Sequence, residues 1–336
     1  MKALVYTKPH TIVFKEVPYP KIKPNEVLIR VKSVGICGTD LHIYSGGMQL
    51  PTPLIIGHEF SGVVWKTGAS VKKFEKGDRV VAEHVVSCGI CRYCRRGRPN
   101  LCAYAQVIGL HRSGALAEYV AVPETLVYPF PKGMSFDEAA LIEPLSIAYY
   151  AAQEIGLVLD ARVAVIGQGP IGLLVDQVLK AAGAYVIGID IQDTRLQFAL
   201  RRKWVDKAVN STKQNVADVI SALTKDGVDI AVEAVGHAAS AELSLEITRQ
   251  HGTVVLLGVF ESPASLNLMH LVKKELTVRG SWTCAFAFPQ SIELVAQGKI
   301  DLKSLITHRY AASEGARAFR EAFSYRKGRI KTIINF

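Results

Sequence analysis

A glycine-rich run between an apolar segment and a helical pattern is the feature that most constrains the fold of this chain. Residues 161–166 are mostly apolar, residues 167–172 read GQGPIG, and the helical pattern begins near Leu173. From about Ser146, apolar runs at 162–167, 185–190, 229–234 and 253–258 alternate with helical patterns. Such alternation predicts a doubly wound parallel sheet, with the glycine-rich turn following one of its strands.

The glycines of this turn have separate physical tasks. The first permits a tight turn, the second lets the backbone approach a pyrophosphate, and the third allows the helix to pack closely on the strand. The helix N-terminus then offers free N–H groups to the phosphates. A turn that serves only helix–strand packing is the alternative, but the strand–turn–helix context is the one that dinucleotide binding requires. The candidate cofactor-binding residues here are Gly167, Gly169, Pro170, Ile171 and Gly172.

A carboxylate beyond the turn bears on the choice between the two nicotinamide dinucleotides. Asp190 ends the next predicted strand. There it would accept hydrogen bonds from the adenine ribose hydroxyls and repel a 2′-phosphate, which favours NAD over NADP. Arg195 leaves the choice open, because a nearby guanidinium could accommodate that phosphate.

Four of the six cysteines lie in one loop, with the spacing Cys88-x2-Cys91-x2-Cys94-x7-Cys102. This spacing can close on one tetrahedral ion, and a shell of four thiolates leaves no position open for a substrate. The loop therefore predicts a structural zinc site. Disulfides, incidental buried cysteines and a nucleic-acid-binding zinc ribbon are the alternatives. Disulfides need an oxidising compartment and the chain start lacks a secretory pattern, while ribbons normally have two separated CxxC knuckles.

The composition is that of a protein with two domains and no membrane span. The chain has 336 residues, of which 49% are hydrophobic and 21% charged, enough for two cores. Polar residues interrupt the most apolar region before it reaches the roughly eighteen residues of a span. The net charge of +10 would favour anionic ligands without specifying one, and no basic stripe with interleaved aromatics indicates nucleic acid. We therefore expect a cytoplasmic protein that acts on a small molecule.

The first 140 residues or so have a different pattern from the middle of the chain. Short β-rich segments at 3–6, 11–16, 26–34, 62–67 and 79–82 are divided by turn signals, which predicts an antiparallel, barrel-like region. After about Phe288 we expect a helix near 289–297 and a final strand at 331–336. This tail is expected to return to the first domain.

Potential metal ligands also occur outside the cysteine loop. Residues 35–42 read GICGTDLH, residues 57–59 read GHE, and residues 142–144 read IEP. Cys37 and His58 are good zinc ligands, and a carboxylate could complete a three-ligand site of the catalytic type, which keeps one position open. Taken singly, Cys37 is typical of a small buried residue and His58 of a core or surface histidine. Their occurrence in one chain with the cysteine loop and the glycine-rich turn favours the metal interpretation.

With these motifs the sequence resembles the zinc-dependent medium-chain dehydrogenase/reductase family over essentially its whole length. GICGTDLH, GHEFSGVV, the four-cysteine loop, IEPLSIA and VIGQGPIGL are similar to the family's motifs, in the family's order. The resemblance implies an α/β protein with a GroES-like, β-barrel-type catalytic domain at 1–145, completed by 289–336. It further implies a Rossmann domain at 146–288 and a homodimer or homotetramer.

The resemblance also implies a catalytic zinc. Cys37, His58, Glu59 and Glu143 match the family's ligand positions, and members differ over whether the glutamate at position 59 binds. Simple alcohol dehydrogenases have cysteine where this chain has Glu143. In this respect the chain is similar to the sorbitol, threonine, idonate, galactonate and galactitol-phosphate dehydrogenase branch.

Two further sets of residues match functional positions of the family. Thr39 and His42 correspond to a hydroxyl and a histidine that relay the proton of the alcohol to solvent. Outside this context, a turn residue and a solvent-facing histidine would be the ordinary interpretations. Additional cofactor contacts are implied for Leu257, Gly258, Val259, Ser281 and Trp282, although Trp282 could equally pack in the core or at a subunit interface.

The function expected from these motifs is hydride transfer from a secondary alcohol to NAD, with two zinc ions per chain, one catalytic and one structural. Residues 280–284 depart from sorbitol dehydrogenases, residues 274–282 are similar to galactitol-phosphate dehydrogenases, and residues 107–111 and 307–310 to sugar-acid 5-dehydrogenases. A polyol or sugar acid is the expected substrate, and a phosphorylated polyol or L-threonine the alternative. A non-catalytic protein that binds zinc and NAD, or a thiol redox switch, would be of a different class.

Overall fold

The chain forms two units, and the first of them is assembled from both chain ends. The structure is a computed structural model and describes residues 1–156, 159–324 and 328–336. The first unit comprises Met1–Glu143 together with Phe288–Phe336, and the second comprises Pro144–Ala287. Among the described residues, no helix combines the length and the apolar character that a membrane crossing needs.

The secondary structure changes from mostly strands to alternating strands and helices along the chain. In the described residues the strands are β1 (Lys2–Lys8), β2 (Thr11–Glu16), β3 (Glu26–Gly35), β4 (Leu54–Ile55), β5 (Glu59–Thr67), β6 (Arg79–Ala82), β7 (Val85–Val86), β8 (Gln106–Val107), β9 (Tyr119–Pro123), β10 (Val127–Pro129), β11 (Arg162–Ile166), β12 (Tyr185–Asp190), β13 (Lys207–Asn210), β14 (Val228–Glu233), β15 (Thr248–Leu256), β16 (Thr277–Gly280), β17 (Ile306–Ala311) and β18 (Lys331–Asn335). The helices are α1 (Gly38–Ser45), α2 (Phe136–Ala140), α3 (Ile142–Ile155), α4 (Pro170–Ala181), α5 (Asp193–Arg201), α6 (Val216–Thr224), α7 (Ala238–Ile247), α8 (Leu268–Lys274), α9 (Phe288–Ala296) and α10 (Gly315–Phe323).

The main sheet of the first unit is largely antiparallel. Its strand order is β10-β6-β5-β3-β18-β17, and β9 also pairs with β3. Strand β18 lies antiparallel to the end of β3, with Ile334 opposite Val34. The final strand therefore lies beside the strand that leads to Cys37. Phe60, Ile29 and Phe319 are among the largest fully buried side chains of this unit's core.

The second unit contains a six-stranded parallel sheet in the order β13-β12-β11-β14-β15-β16. The predicted α/β fold, with a doubly wound sheet, is confirmed. Helix α4 begins at Pro170 rather than near Leu173, because Gly169 is its N-cap and proline suits the first helical position, where no N–H partner is needed. The edge strand β16 was not predicted, since its side chains are mostly exposed and lack an apolar pattern.

Helix α4 carries a buried acid that the fold must accommodate. Asp176 is fully buried, and neither carboxylate oxygen has a hydrogen-bond partner among the described residues. Burial raises the pKa of Asp176 well above its usual range, and the neighbouring Gln168 amide opposes this only in part. Burial therefore favours the neutral acid of Asp176 over its carboxylate.

We expect Asp176→Asn to flatten the fall in stability as the pH rises. The pKa of Asp176 is higher in the folded state than in the unfolded state. Between these two pKa values the folded wild type therefore binds more protons than the unfolded chain does, so its stability falls as the pH rises through that window. Over that window the loss is up to about 1.4 kcal/mol per pH unit, and the amide variant would not share it. Urea unfolding of both proteins from pH 4 to pH 9 would measure the difference. Parallel curves would contradict the assignment.

Candidate metal and dinucleotide sites

The four cysteines of the predicted zinc loop lie together in the first unit. Their sulfur atoms are all within 4.8 Å of one another. Sγ of Cys91 lies 3.5 Å from Sγ of Cys94 and 3.9 Å from Sγ of Cys102. These separations are far longer than the ~2.05 Å of a disulfide bond, and all six cysteines are free thiols. The structure therefore has no disulfide among these cysteines, and it places their four thiols around one point.

Backbone N–H groups around the loop point at the sulfurs. The N–H of Cys88 donates to Sγ of Cys102 at 3.3 Å, and the N–H of Tyr104 donates to the same sulfur at 3.4 Å. Hydrogen bonds from the backbone of Cys94 and Ala103 lower the pKa of the Cys91 thiol to about 6. Donors arranged in this way stabilise thiolates, which are the form that binds a metal ion.

The second group of predicted ligands is organised by helix α1 and by the start of β5. Cys37 is the N-cap residue of α1, and its N–H donates to Oδ2 of Asp40 at 2.9 Å. The other oxygen of Asp40 accepts the N–H of Gly57 at 3.1 Å and lies 3.8 Å from Nδ1 of His58. The buried Asp40 carboxylate therefore holds the segments that carry Cys37 and His58 beside each other.

The two candidate carboxylates differ in their partners. Glu59 is 1% exposed and is paired with Lys331, which is also buried and whose Nζ lies 2.6 Å from Oε1 and 2.5 Å from Oε2. Glu143 lies in the first turn of α3, and its Oε1 is 2.8 Å from Nδ1 of His84. Glu59 is thus neutralised by a lysine, whereas Glu143 faces an imidazole.

Buried charges shift the protonation of this cluster. Burial raises the pKa of the Cys37 thiol, and the carboxylate of Glu59 acts in the same direction. Burial also acts to raise the pKa of Glu143, but His84, His58 and Lys331 together outweigh this effect, so the pKa is lowered. A divalent cation would favour the Cys37 thiolate directly, so binding there would release a proton.

The donor chemistry of this cluster fits zinc. Cys37, His58 and Glu143 supply a thiol, an imidazole and a carboxylate, and Nδ1 of His58 has no hydrogen-bond partner among the described residues. In the described part of the chain, only the four-cysteine loop brings together three or more His, Cys, Asp or Glu side chains whose donor atoms all lie within 4.8 Å of one another. The second cluster is wider, and in it Glu59 is paired with Lys331 and Glu143 contacts His84.

The predicted relay residues lie on α1. Thr39 is in the first turn and His42 in the last, and both are half-buried. Side chains three residues apart lie on the same side of a helix. The helix that begins at Cys37 therefore also carries the two residues proposed to handle the proton.

The glycine-rich turn has the geometry that the sequence predicts for its glycines. Gly167 has φ +98°, in the left-handed region that favours glycine, and a Cβ atom on Gly172 would collide with the carbonyl oxygen of Gly167. Gly169 caps helix α4, whose first N–H groups are thus directed at the turn. A phosphate group bound here would meet backbone donors and the positive end of the helix.

Asp190 lies at the carboxyl end of β12, next to this turn. Its Oδ2 accepts the N–H of Gln168 at 2.7 Å, and its Oδ1 accepts the N–H of Gln192 at 2.8 Å. Nη1 of Arg195 lies 3.9 Å from Oδ2. The Asp190 carboxylate therefore stabilises the turn through its hydrogen bonds. It also lies beside Arg195, the guanidinium noted in the sequence analysis.

The remaining predicted cofactor residues follow neighbouring strands of the same sheet. Leu257, Gly258 and Val259 come directly after β15, and Ser281 and Trp282 come directly after β16. Leu257 and Ser281 are buried, whereas Val259 and Trp282 are more than half exposed. These segments lie at the carboxyl edge of the parallel sheet, which is where open α/β sheets bind ligands.

The structure adds residues that sequence reasoning missed. Asp40, His84 and Lys331 belong to the buried cluster around Cys37, and Glu233 accepts the N–H groups of Val235 and Gly236 at the end of β14. Asp40 was detectable, since it lies inside GICGTDLH. Lys331 was not, because only the pairing of β18 with β3 brings it near Glu59.

Two family matches cover the two halves of the chain. Residues 23–132 match the alcohol dehydrogenase GroES-like domain, and residues 170–297 match the zinc-binding dehydrogenase family. Sorbitol dehydrogenase of Bacillus subtilis (strain 168) is 34% identical over 342 residues, covering 99% of this chain and 97% of that protein. L-threonine 3-dehydrogenase of Rhizobium johnstonii is 36% identical over 332 residues, covering 96% of this chain and 94% of that protein.

A solved structure gives the same result for the fold. A protein of Sinorhizobium meliloti 1021, described as a zinc-binding dehydrogenase and solved with NADP, superposes with a TM-score of 0.93 at 31% identity, covering 100% of this chain and 99% of that chain. This chain therefore belongs to the zinc-dependent medium-chain dehydrogenase/reductase family, in the branch that contains polyol and threonine dehydrogenases.

Proposed function

We propose that this protein is a zinc- and NAD-dependent dehydrogenase that oxidises a secondary alcohol of a polyol or a sugar acid. The observation that carries the proposal is the cluster of half-buried Cys37 with buried His58 and Glu143, in a chain that also has the glycine-rich turn. A thiolate, an imidazole and a carboxylate form a catalytic type of zinc site, in which one position stays open for a substrate oxygen.

The overall reaction converts a secondary alcohol and NAD+ into a ketone, NADH and a proton. Zinc, when bound, supplies a Lewis acid that lowers the pKa of the substrate hydroxyl, and NAD supplies the hydride acceptor. Cys37, His58 and Glu143 would hold the ion. Lys331 already neutralises Glu59, which supports Glu143 as the carboxylate of the resting ligand set.

The chain must also remove the proton of the alcohol. The Thr39 hydroxyl would accept this proton, and His42, one helical turn further along α1, would pass it to solvent. Both side chains are half-buried, which suits groups that connect a buried cluster to water. Asp40, between them in sequence, is bound to two backbone N–H groups and is not available for this task.

The substrate class is the least constrained part of the proposal. The similarity to a sorbitol dehydrogenase supports a polyol, and the similarity to L-threonine 3-dehydrogenases supports L-threonine as an alternative. A phosphorylated polyol is the other alternative, since galactitol-1-phosphate dehydrogenase of Escherichia coli has the same fold. Each of these substrates has a secondary hydroxyl beside a second polar group.

A substrate panel tests the proposal. Zinc-replete protein would be assayed for NADH formation with sugar alcohols, polyol phosphates, aldonates and L-threonine, with NAD+ and NADP+ in separate series. We expect turnover on one class of polyhydroxylated substrate. Absence of NADH formation with every class, in protein that binds zinc and NAD, would favour a non-catalytic zinc- and NAD-binding protein instead.

We expect Asp190→Ala to weaken the preference for NAD over NADP. The variant loses an acceptor for the ribose hydroxyls and the negative charge that repels a 2′-phosphate, while Arg195 remains. The loss of a hydrogen bond to a charged group costs about 1.5–3 kcal/mol, so kcat/KM for NAD should fall roughly 10- to 100-fold. The ratio of kcat/KM for the two cofactors measures the change.

Asp193→Ala is the matched control for this variant. Asp193 is also a carboxylate shortly after β12, at the first residue of α5, but it is exposed and pairs with Lys213 and Asn210. Its removal should leave the cofactor ratio unchanged. An unaltered ratio in Asp190→Ala would remove Asp190 from the ribose site.

We also propose that the protein is a homodimer or a homotetramer, as expected for its family. Light scattering of the purified protein would determine the assembly. The catalytic proposal does not depend on this result, because the proposed metal ligands all belong to one chain.

A further inference from the structure

Gln168 is a residue of the glycine-rich turn whose side chain the proposed function does not use. It lies between Gly167 and Gly169, and it is 0% exposed. With no exposed surface, its amide is directed into the second unit and not at the face of the turn that a dinucleotide would contact. A long polar side chain is thus buried directly beneath the proposed phosphate-binding turn.

The amide of Gln168 rests against strand β12. A Cβ atom on Gly188 would lie 2.9 Å from Cδ of Gln168 and 3.0 Å from its Oε1. Glycine in a strand interior commonly marks such a close approach, and here it leaves the space that the amide fills. Residues two apart in a strand face the same side of the sheet. Asp190 therefore lies on the face of β12 that carries the amide.

Asp176 of α4 is the polar neighbour of this amide. It is also fully buried. Burial raises the pKa of the Asp176 carboxyl, and a hydrogen bond from Gln168 opposes this in part. Apart from this amide, neither carboxyl oxygen has a hydrogen-bond partner in the part of the chain that the structure describes. The carboxyl group therefore depends on Gln168 for its hydrogen bonding.

A neutral carboxyl group and a primary amide can satisfy each other. The acid O–H donates to the amide carbonyl, and an amide N–H donates to the acid carbonyl. Oε1 of Gln168 is buried and has no partner within the described ranges, while Nε2 lies 3.5 Å from the carbonyl oxygen of Val165, which is long for a hydrogen bond. Since burial favours the neutral acid, pairing with Asp176 supplies the partners that both groups otherwise lack.

The backbone of Gln168 connects this buried pair to the proposed ribose site. Its N–H donates to Oδ2 of Asp190 at 2.7 Å, and the contact is buried. The other oxygen of Asp190 accepts the N–H of Gln192 at 2.8 Å. The carboxylate is thus held by one hydrogen bond at each oxygen, so a shift of the Gln168 peptide would turn it.

We infer that Gln168 is a positioning residue for Asp190 in the choice between NAD and NADP. Its side chain, paired with Asp176 and packed on Gly188, fixes the peptide whose N–H donates to that carboxylate. The choice of cofactor then depends on a buried side chain that touches neither cofactor. This inference rests on the proposed function, since it requires a dinucleotide whose ribose meets Asp190.

Dissociation constants for NAD+ and NADP+, measured by isothermal titration calorimetry, test the inference without relying on turnover. Gln168→Met keeps the length of the side chain and removes its hydrogen-bonding groups. We expect the ratio of the NADP+ to the NAD+ dissociation constant to fall roughly fivefold, the equivalent of one neutral hydrogen bond. A ratio equal to that of the wild type would overturn the inference.

Two variants of Asp176 test the pair from helix α4 and leave the turn unaltered. Asp176→Leu removes the partner of the amide and should lower the ratio to a similar extent. Asp176→Asn keeps groups that can hydrogen-bond to an amide, so it should retain the wild-type ratio. Equal ratios in Asp176→Leu and Asp176→Asn would mean that packing alone supports the turn, and the inference would fail. These two variants decide the question if Gln168→Met does not fold.

Further comparisons separate the possible failures. Thr248→Val replaces another fully buried polar side chain of the second unit, at the amino end of β15, and should leave the ratio unchanged. If Asp190→Ala alters the ratio but Gln168→Met does not, the inference fails and the proposed function stands. If the wild type binds neither dinucleotide, the proposed function fails together with the inference.

Discussion

Replacement of Glu143 by alanine should reduce kcat by roughly 10³-fold. The variant would lose one of three proposed ligands of the catalytic ion, and a Lewis acid contributes several kcal/mol to stabilisation of the transition state, at about 1.4 kcal/mol per factor of ten. The four-cysteine loop does not involve Glu143, so its ion should stay bound. Initial rates of NADH formation, measured with the zinc content of the same sample, would test both expectations.

Glu154→Ala is the matched control, because Glu154 lies near the other end of the same helix α3. It should keep full turnover and two zinc ions per chain. If Glu143→Ala also turned over at the wild-type rate, Glu143 would have no role at the metal. Glu59 would then have to leave Lys331 to serve as the carboxylate ligand.

Replacement of Cys91 by serine should cost stability and leave the chemistry intact. Sγ of Cys91 lies near the sulfurs of Cys94 and Cys102, and backbone donors favour its thiolate. Loss of one thiolate would release the structural ion, whose binding free energy contributes to folding. A loss of about 4 kcal/mol would lower the unfolding temperature by roughly 10 °C. Thermal unfolding and zinc analysis would measure the two effects.

The control for this variant is Cys284→Ser. Cys284 is buried in the second unit, where its sulfur lies 3.2 Å from the hydroxyl of Ser146. That variant should keep both zinc ions. A Cys91→Ser protein that was fully folded and stable, but had selectively lost kcat, would contradict the structural role of the loop.

The sequence predicted most of the features that depend on local pattern. The buried parallel strands β11, β12 and β14 are centred on apolar runs, as is the second half of β15, and the glycines of the turn have steric roles that follow from spacing alone. The start of α4 was placed too late, because proline was not recognised as its first residue. Strand β16 was missed because its exposed side chains show no apolar period.

Contacts between distant segments were not predictable from local pattern. Lys331 reaches Glu59 only because β18 pairs with β3, and His84 meets Glu143 only because the chain after β6 faces the start of α3. Neither residue belongs to a motif. The sequence therefore indicated which residue types bind a metal ion, while the fold determined which of two glutamates is already neutralised.

The measurement that tests this account most directly is the return of NADH formation as zinc is restored to metal-depleted protein. Zinc content and initial rate would be followed together on the substrate found in the panel. We predict that the first equivalent of zinc per chain restores stability with little turnover, and that the rate rises in proportion to the second. Full turnover at one equivalent or fewer, in protein that remains folded, would contradict a catalytic metal at Cys37, His58 and Glu143.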